Sequence, residues 1–197
     1  PAPMTAFDAF FHLALIVTLR GTQTAVDYYR QLHDELNQRI ANGVSMVPDE
    51  KYRLLRDNLP VWYKTRWLSE KFAAHDAALV ADTYTSAWSG MLPDINGQTF
   101  LEAMAETYTK VYINISIDMM FDIVANMIEK YHVDGMVMHS NRSCKPYSLG
   151  QYDLRQMIMD RLGVPTLIIE ADMVDERAFS ESQIDTRIDA FMETLKS

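Results

Sequence analysis

The chain has 197 residues, 48% apolar and 23% charged, with 18 basic against 27 acidic side chains and a formal net charge of −9. That length and composition describe one soluble globular core, with room at most for a helical appendage, and exclude a disordered or fibrous chain. The acidic balance disfavours nucleic acid and any other partner gripped mainly through phosphate neutralisation, although a local cluster of cations can still hold a small anionic ligand.

The opening stretch PAPMTAFDAFFHLALIVTLRG lacks a basic segment followed by a cleavage motif and does not read as a signal peptide. Its apolar run carries Asp8 and His12 and falls short of the roughly 18 residues a bilayer span needs, so no membrane segment is expected. It reads instead as a buried helix over residues 6–20. A second helix is expected over 23–42, where Ala25, Tyr29, Leu32, Leu36 and Ile40 recur at helical spacing and Gly43 supplies the stop. Beyond Ser45 short apolar runs alternate with longer amphipathic ones, the pattern of a parallel sheet covered by helices. The expected strands are YRLLRDN with the following LPVW, then residues 77–82, 135–139 and 165–170; the last three are near-continuous apolar runs, as strands buried on both faces should be. Helices are expected at about 65–74, 99–107, 116–131, 150–162 and 181–195. The fold class that follows is α/β: an open parallel sheet of about four strands flanked by helices, flavodoxin- or Rossmann-like. A helical lead-in segment, 1–47, precedes an α/β domain, 48–197.

Ligands of open α/β sheets bind beyond the carboxyl ends of the strands. Those ends read PVWYK (60–64), DTYTSAW (82–88), HSNRSCKPY (139–147) and EADMVDE (170–176), all polar or aromatic after apolar strands. They supply Tyr84, Trp88, His139, Ser140, Asn141 and Glu170 as candidates on the substrate side. The only cysteine, Cys144, stands between Arg142 and Lys145 and close to the start of the next helix; positive charge and helix amides both favour the thiolate, the form that binds metal or attacks an electrophile. The alternative is a small buried hydrophobe, against which its polar flanks argue. His139 is the histidine near enough in sequence to serve that thiol as a base; the alternative is a ring that merely ends a strand with a structural hydrogen bond. One cysteine allows neither an internal disulfide nor a structural zinc site and points to a reducing compartment, the cytoplasm. The other histidines lack the two-ligand spacing of a zinc helix. The chain has no phosphate-binding G-x-x-x-x-G-K-[ST] loop, no G-x-G-x-x-G and no G-x-S-x-G. Glu170, Asp172 and Asp175 read either as acid–base groups or as a solvated acidic loop. The 13 methionines fall mostly at core spacing.

Four stretches in order, VPDEKYRLLRDNLPVWYK, ALVADTYTSAW, YHVDGMVMHSNRSCKPYSLGQYDLRQMI and GVPTLIIEADMVDERAFSESQIDTRIDAFMETL, resemble the benzoyl-CoA reductase and 2-hydroxyacyl-CoA dehydratase subunits, over residues 48–195. The HSNRSCKP loop and the closing stretch look nearest to the benzoyl-CoA reductase branch. The resemblance implies α/β subunits that pair, each carrying a [4Fe-4S] cluster held largely by three cysteines of its own chain. It also implies a separate ATP-hydrolysing activator that delivers low-potential electrons. By the same resemblance Cys144 is a metal ligand, with Arg142 and Lys145 supplying positive charge near an anionic cluster or acyl-CoA. The other cysteines are expected in a preceding N-terminal half, in keeping with the Met-less start. The function implied is the C-terminal domain of a subunit of an ATP-dependent benzoyl-CoA reductase, an oxidoreductase acting on an aromatic acyl-CoA. Alternatives are a 2-hydroxyacyl-CoA dehydratase, a lyase working through a ketyl radical, or a non-catalytic scaffold docking through Trp62, Trp67 and Trp88.

Overall fold

A computed structural model describes residues 1–89 and 93–196. Its centre is a four-stranded sheet of β1 (Tyr52–Asp57), β2 (Ala77–Asp82), β3 (Gly135–Asn141) and β4 (Thr166–Ala171), in the order β2-β1-β3-β4. Every pairing is parallel. The helices are α1 (Ala6–Thr18), α2 (Gln23–Ala41), α3 (Thr65–Ala73), α4 (Thr83–Ser89), α5 (Phe100–Thr109), α6 (Ile117–Tyr131), α7 (Lys145–Ser148), α8 (Gln151–Leu162) and α9 (Glu181–Lys196).

Because side chains alternate across a strand, each strand feeds two apolar clusters. Leu54, Leu79, Val137, Leu167 and Ile169 face one side, where Phe7 and Phe10 of α1, Leu68 and Phe72 of α3, and Ile188 and Met192 of α9 cover them. Leu55, Met136, Met138 and Ile168 face the other, under Phe121, Val124 and Met127 of α6 and Leu154 and Ile158 of α8. A sheet covered on both faces is what the continuous apolar strands require. The first helix thus shares the core of the sheet, whereas α2 buries only Ala25.

Local chemistry sets the helix ends. Thr5 and Asp8 form a capping box at α1, Thr99 and Glu102 another at α5, and Ser116 caps α6. Gly163, at φ 68°, closes α8 in the left-handed region that glycine enters freely. No helix among the described residues is long and apolar enough to cross a membrane.

Three expectations need correction. LPVW does not extend the first strand: Asn58 turns to φ 78°, Pro60 has no N–H for a ladder, and Trp62–Lys64 form a 3-10 turn. The stretch after β2 is the helix α4, because Asp82 accepts from the Thr85 backbone N–H at 2.7 Å and so caps it. Strand β3 runs two residues further than expected, Ser140 pairing with Glu170 and Asn141 with Ala171.

Gly135 opens β3 directly beneath α9. A Cβ there would lie 2.8 Å from Phe191 Cζ and 3.1 Å from Leu195 Cδ2. Gly135→Ala should overpack this contact and lower the unfolding free energy by about 1–3 kcal/mol in urea denaturation. A loss below about 0.5 kcal/mol would show that α9 shifts freely on the sheet.

Candidate functional site

The carboxyl end of β1 carries Arg56, Asp57 and Asn58, all buried, in a place where apolar residues would be expected. Asn58 holds its left-handed turn with three hydrogen bonds. Its Nδ2 donates to the His139 carbonyl at 2.6 Å, its Oδ1 accepts from Leu59 N–H at 2.6 Å, and its own N–H donates to Thr83 Oγ1 at 3.2 Å. Asparagine enters the left-handed region more readily than most residues. Arg56 donates to the carbonyls of Asn58, at 2.5 Å, and Leu59, and its guanidinium lies 5.0 Å from the Phe10 ring centre. Burial lowers its pKa, against the opposing charges of Asp82 and Asp57.

Asp57 is the hub. Its carboxyl accepts from Thr83 Oγ1 at 2.7 Å and from Gln151 Nε2 at 3.1 Å. Thr83 has spent its single proton on Asp57, so Tyr147 Oη donates to Thr83 Oγ1 at 2.6 Å. Gln151 Nε2 also donates to the His139 carbonyl at 3.1 Å. Burial raises the Asp57 pKa, and the hydrogen bonds from Thr83 and Gln151 and the charge of Arg56 oppose the rise. Tyr112 stacks at a tilt on Tyr147, centroids 5.4 Å apart; burial and the neighbouring Asp57 raise the pKa of both phenols. Among the described residues four buried side-chain polar atoms make no hydrogen bond of normal geometry, Tyr112 Oη, Gln151 Oε1, His139 Nε2 and Asn141 Nδ2, although Tyr112 lies beside the Asp57 carboxyl and the His139 ring beside the Ala171 backbone. All four belong to this end of the sheet.

The loop after β3 carries Cys144, half-buried against the α6–α8 cluster. Its N–H donates to the Asn141 carbonyl at 3.2 Å and its carbonyl accepts from Ser148 N–H at 3.1 Å. Asn141 organises this turn: its Oδ1 takes Ser143 N–H at 3.2 Å and its carbonyl also takes Ser148 Oγ at 2.9 Å. Ser143 Oγ donates to Asp172, which also accepts from the N–H groups of Val174 and Asp175; these bonds hold the Asp172 pKa at about 2. Asp172 is therefore a clamp between two loops rather than a solvated acid. The helix that Cys144 precedes, α7, has only four residues, so the amide field of a long helix does not reach the thiol. Arg142 is exposed and 3.9 Å from Glu170, which also accepts from Tyr152 Oη at 3.3 Å, and Lys145 is exposed.

The structure separates His139 from Cys144. The ring follows Val137 onto the α1–α3–α9 face, beside Phe7, Val61 and Ile169, while the cysteine packs on the opposite face. Alternation along β3 puts the ring on the face of Val137, the turn that follows Asn141 carries Cys144 to the other, and the histidine is not the base of that thiol. Its Nδ1 lies 2.6 Å from the Leu59 carbonyl, an acceptor, so Nδ1 carries the proton. Burial, then Arg56, lowers its pKa to about 4. Ser140, half-buried, pairs with Glu170 in the sheet. Tyr84 and Trp88 also lie away from the Cys144 loop, in an edge-to-face ladder with Phe10 and Trp62 at 6.0–6.5 Å. Trp67 packs on Phe179 at 5.6 Å, and Trp62, 44% exposed, still sets its ring against Phe10 and Tyr84.

Thr83 and Tyr147 fall within the polar stretches that follow the strands, whereas Asp57, Asn58, Tyr112 and Gln151 do not stand out in the sequence. The available signal is RDN, three polar residues closing an apolar strand. For a cluster the chain offers one thiolate, and among the described residues no three histidine, cysteine or carboxylate side chains gather as a metal site. Cys144 thus fits one corner of an iron–sulfur cluster and not a whole one.

A family model described as the 2-hydroxyglutaryl-CoA dehydratase D-component matches residues 1–195. The (R)-phenyllactyl-CoA dehydratase alpha subunit of Clostridium sporogenes is 32% identical over 196 residues, 99% of this chain and 47% of that one. The (R)-2-hydroxyisocaproyl-CoA dehydratase alpha subunit of Clostridioides difficile is 29% identical over 197 residues, 100% of this chain and 47% of that one. A benzoyl-CoA reductase subunit of Thauera aromatica is 30% identical over 207 residues, 99% of this chain and 48% of that one. The chain spans about half the length of the curated relatives it matches.

His139 generates a test in pH. An unfolded histidine, with pKa near 6.5, takes up a proton that the buried ring refuses until about pH 4. Its contribution to stability is therefore complete above pH 6.5 and is lost as pH falls toward 4, by roughly 3 kcal/mol in all. Asp57 works the other way, since a raised carboxyl pKa makes stability fall as pH rises through its range. Comparing wild type with His139→Gln isolates the ring, because Asp57 is common to both. Denaturation at pH 7 and pH 4.5 should show the wild type losing about 2–3 kcal/mol more than the variant; equal losses would mean that folded His139 protonates normally.

Proposed function

The chain belongs to the 2-hydroxyglutaryl-CoA dehydratase D-component family, and from that premise we propose that it is part of the alpha-type subunit of a heteromeric 2-hydroxyacyl-CoA dehydratase. The observation that carries this reading is similarity along the whole chain to dehydratase alpha subunits, four of them at 28–32% identity. It displaces the benzoyl-CoA reductase branch as the first choice. Reductase chemistry stays as a second reading on the strength of the 30% identity to the benzoyl-CoA reductase chain.

In this reading Cys144 supplies one thiolate to a [4Fe-4S] cluster whose remaining ligands come from outside these residues. A bound cluster would supply one-electron transfer at low potential, fed by a separate ATP-hydrolysing activator and shared with a paired subunit. What this chain does is hold the ligand still. The Asn141 carbonyl fixes the turn from within, Ser143 ties it to the β4 loop through Asp172, and Tyr147 anchors it to Thr83 and Asp57. Arg142 and Lys145 place positive charge on the exposed side of that turn, where an anionic acyl-CoA or cluster would gain from it.

Two measurements test this on the full-length protein with its partner, handled anaerobically. Cys144→Ser should remove the cluster of this subunit, seen as lost iron and a lost paramagnetic signal, while the cluster-free protein loses about 1 kcal/mol of stability or less. Full iron and full turnover in the variant would make Cys144 a packing residue. Electron counting separates the branches: a dehydratase consumes none net per product, whereas a benzoyl-CoA reductase consumes two.

A further inference from the structure

Three large apolar side chains left in water stand around the turn that carries Cys144. Leu149, 78% exposed, joins α7 to α8; Tyr152, 59% exposed, lies in the first turn of α8; Val174, 65% exposed, is in the loop after β4. Polar contacts tie these segments to that turn. The Tyr152 hydroxyl donates to Glu170 at 3.3 Å, Glu170 lies 3.9 Å from Arg142, and the Val174 N–H donates at 3.0 Å to Asp172, which also takes the Ser143 hydroxyl. The Leu149 N–H donates to the Lys145 carbonyl at 3.0 Å. Single exposed apolar residues need no explanation, but aliphatic, tyrosine and arginine side chains gathered on one rim have the composition of an interface.

What fills the other sides of the turn sets the direction from which a partner comes. Tyr147 and the α6–α8 cluster close the inner side, whereas Arg142, Lys145 and Leu149 are exposed. In the cluster reading one cysteine leaves a [4Fe-4S] group short of ligands, and among the described residues no three histidine, cysteine or carboxylate side chains gather to supply them. The remaining thiolates therefore reach Cys144 across the exposed rim. The lengths of the relatives point to their source. This chain accounts for 40–48% of the dehydratase and reductase chains it matches, so each of those carries at least as much chain again. A segment of the same polypeptide is held near the rim at a high effective concentration, an advantage that a separate chain lacks.

We propose that the rim formed by Leu149, Tyr152 and Val174 is the docking surface for the remainder of its own subunit, the part that brings the other cluster thiolates to Cys144. The assignment rests on the reading of Cys144 as a cluster ligand. Leu149 and Val174 supply the apolar anchors, and Arg142, Glu170 and Tyr152 supply the polar border.

The experiment uses the full-length protein in its native heteromer, handled anaerobically. Hydroxyl-radical footprinting should find Leu149, Tyr152 and Val174 shielded, although all three are exposed in this chain. Leu149→Arg sets a charge into an apolar contact without touching the core of this chain. It should lower the iron of this subunit about fivefold or more while subunit pairing, read as mass in size exclusion, stays intact. Val174→Arg should do the same from the other loop, and Leu149→Met should keep its iron. Free labelling of the three side chains, full iron in either arginine variant, or loss of pairing would overturn the assignment, the last by giving the rim to the partner subunit. Cys144→Ser separates the two levels. Iron lost there but kept in the arginine variants refutes the docking surface alone, whereas iron kept in Cys144→Ser refutes the cluster reading on which it stands.

Discussion

One buried carboxyl, that of Asp57, draws the functional end of this molecule together. A carboxyl wholly removed from water must be hydrogen-bonded, and its partners come from segments far apart in sequence: Thr83 at the start of α4 and Gln151 at the start of α8, with Tyr147 of α7 reaching it through Thr83. Each would otherwise be free to choose its own position. Because they converge on one acceptor at the end of a central strand, the three loops that border the crevice have a common reference point. The Cys144 turn inherits its placement from that knot through Tyr147, three residues further on.

The second constraint is the two-faced sheet. Burying both faces forces every strand residue to one side or the other, and this alternation, rather than closeness in sequence, decides which polar residues meet. His139 and Cys144 are five residues apart and end on opposite faces; Asp57 and Gln151 are 94 apart and bond at 3.1 Å. Arg56 and His139 share the α1 side. There the cation sits among backbone carbonyls and against the Phe10 ring, and its charge adds to burial in keeping the imidazole neutral.

These two constraints bear directly on the family chemistry. A scaffold that presents one cysteine from a turn pinned on three sides would suit the shared metal centre proposed above, since a ligand that moves little asks little reorganisation of the group it binds. It also leaves reaction type open, because the same frame serves relatives named as dehydratases and one named as a reductase.

Much of the architecture was legible in the amino-acid order. Strand runs such as AALVAD, helical repeats, the glycine that follows α2 and the polar segments after the strands are local patterns, and local patterns set which elements form and which edge of the sheet is polar. The resemblance that singles out Cys144 was legible too, because it rests on contiguous motifs. The network around Asp57 was not. An aspartate ending a strand looks the same in sequence whether it is solvated or wholly buried, and Tyr112, Tyr147 and Gln151 stand in helices and turns with nothing local to connect them. Strand order β2-β1-β3-β4 brings those positions to one edge, and side-chain alternation turns His139 away from Cys144. Which polar groups are buried, and with whom, depends on contacts between residues tens of positions apart, and only the packed chain decides that.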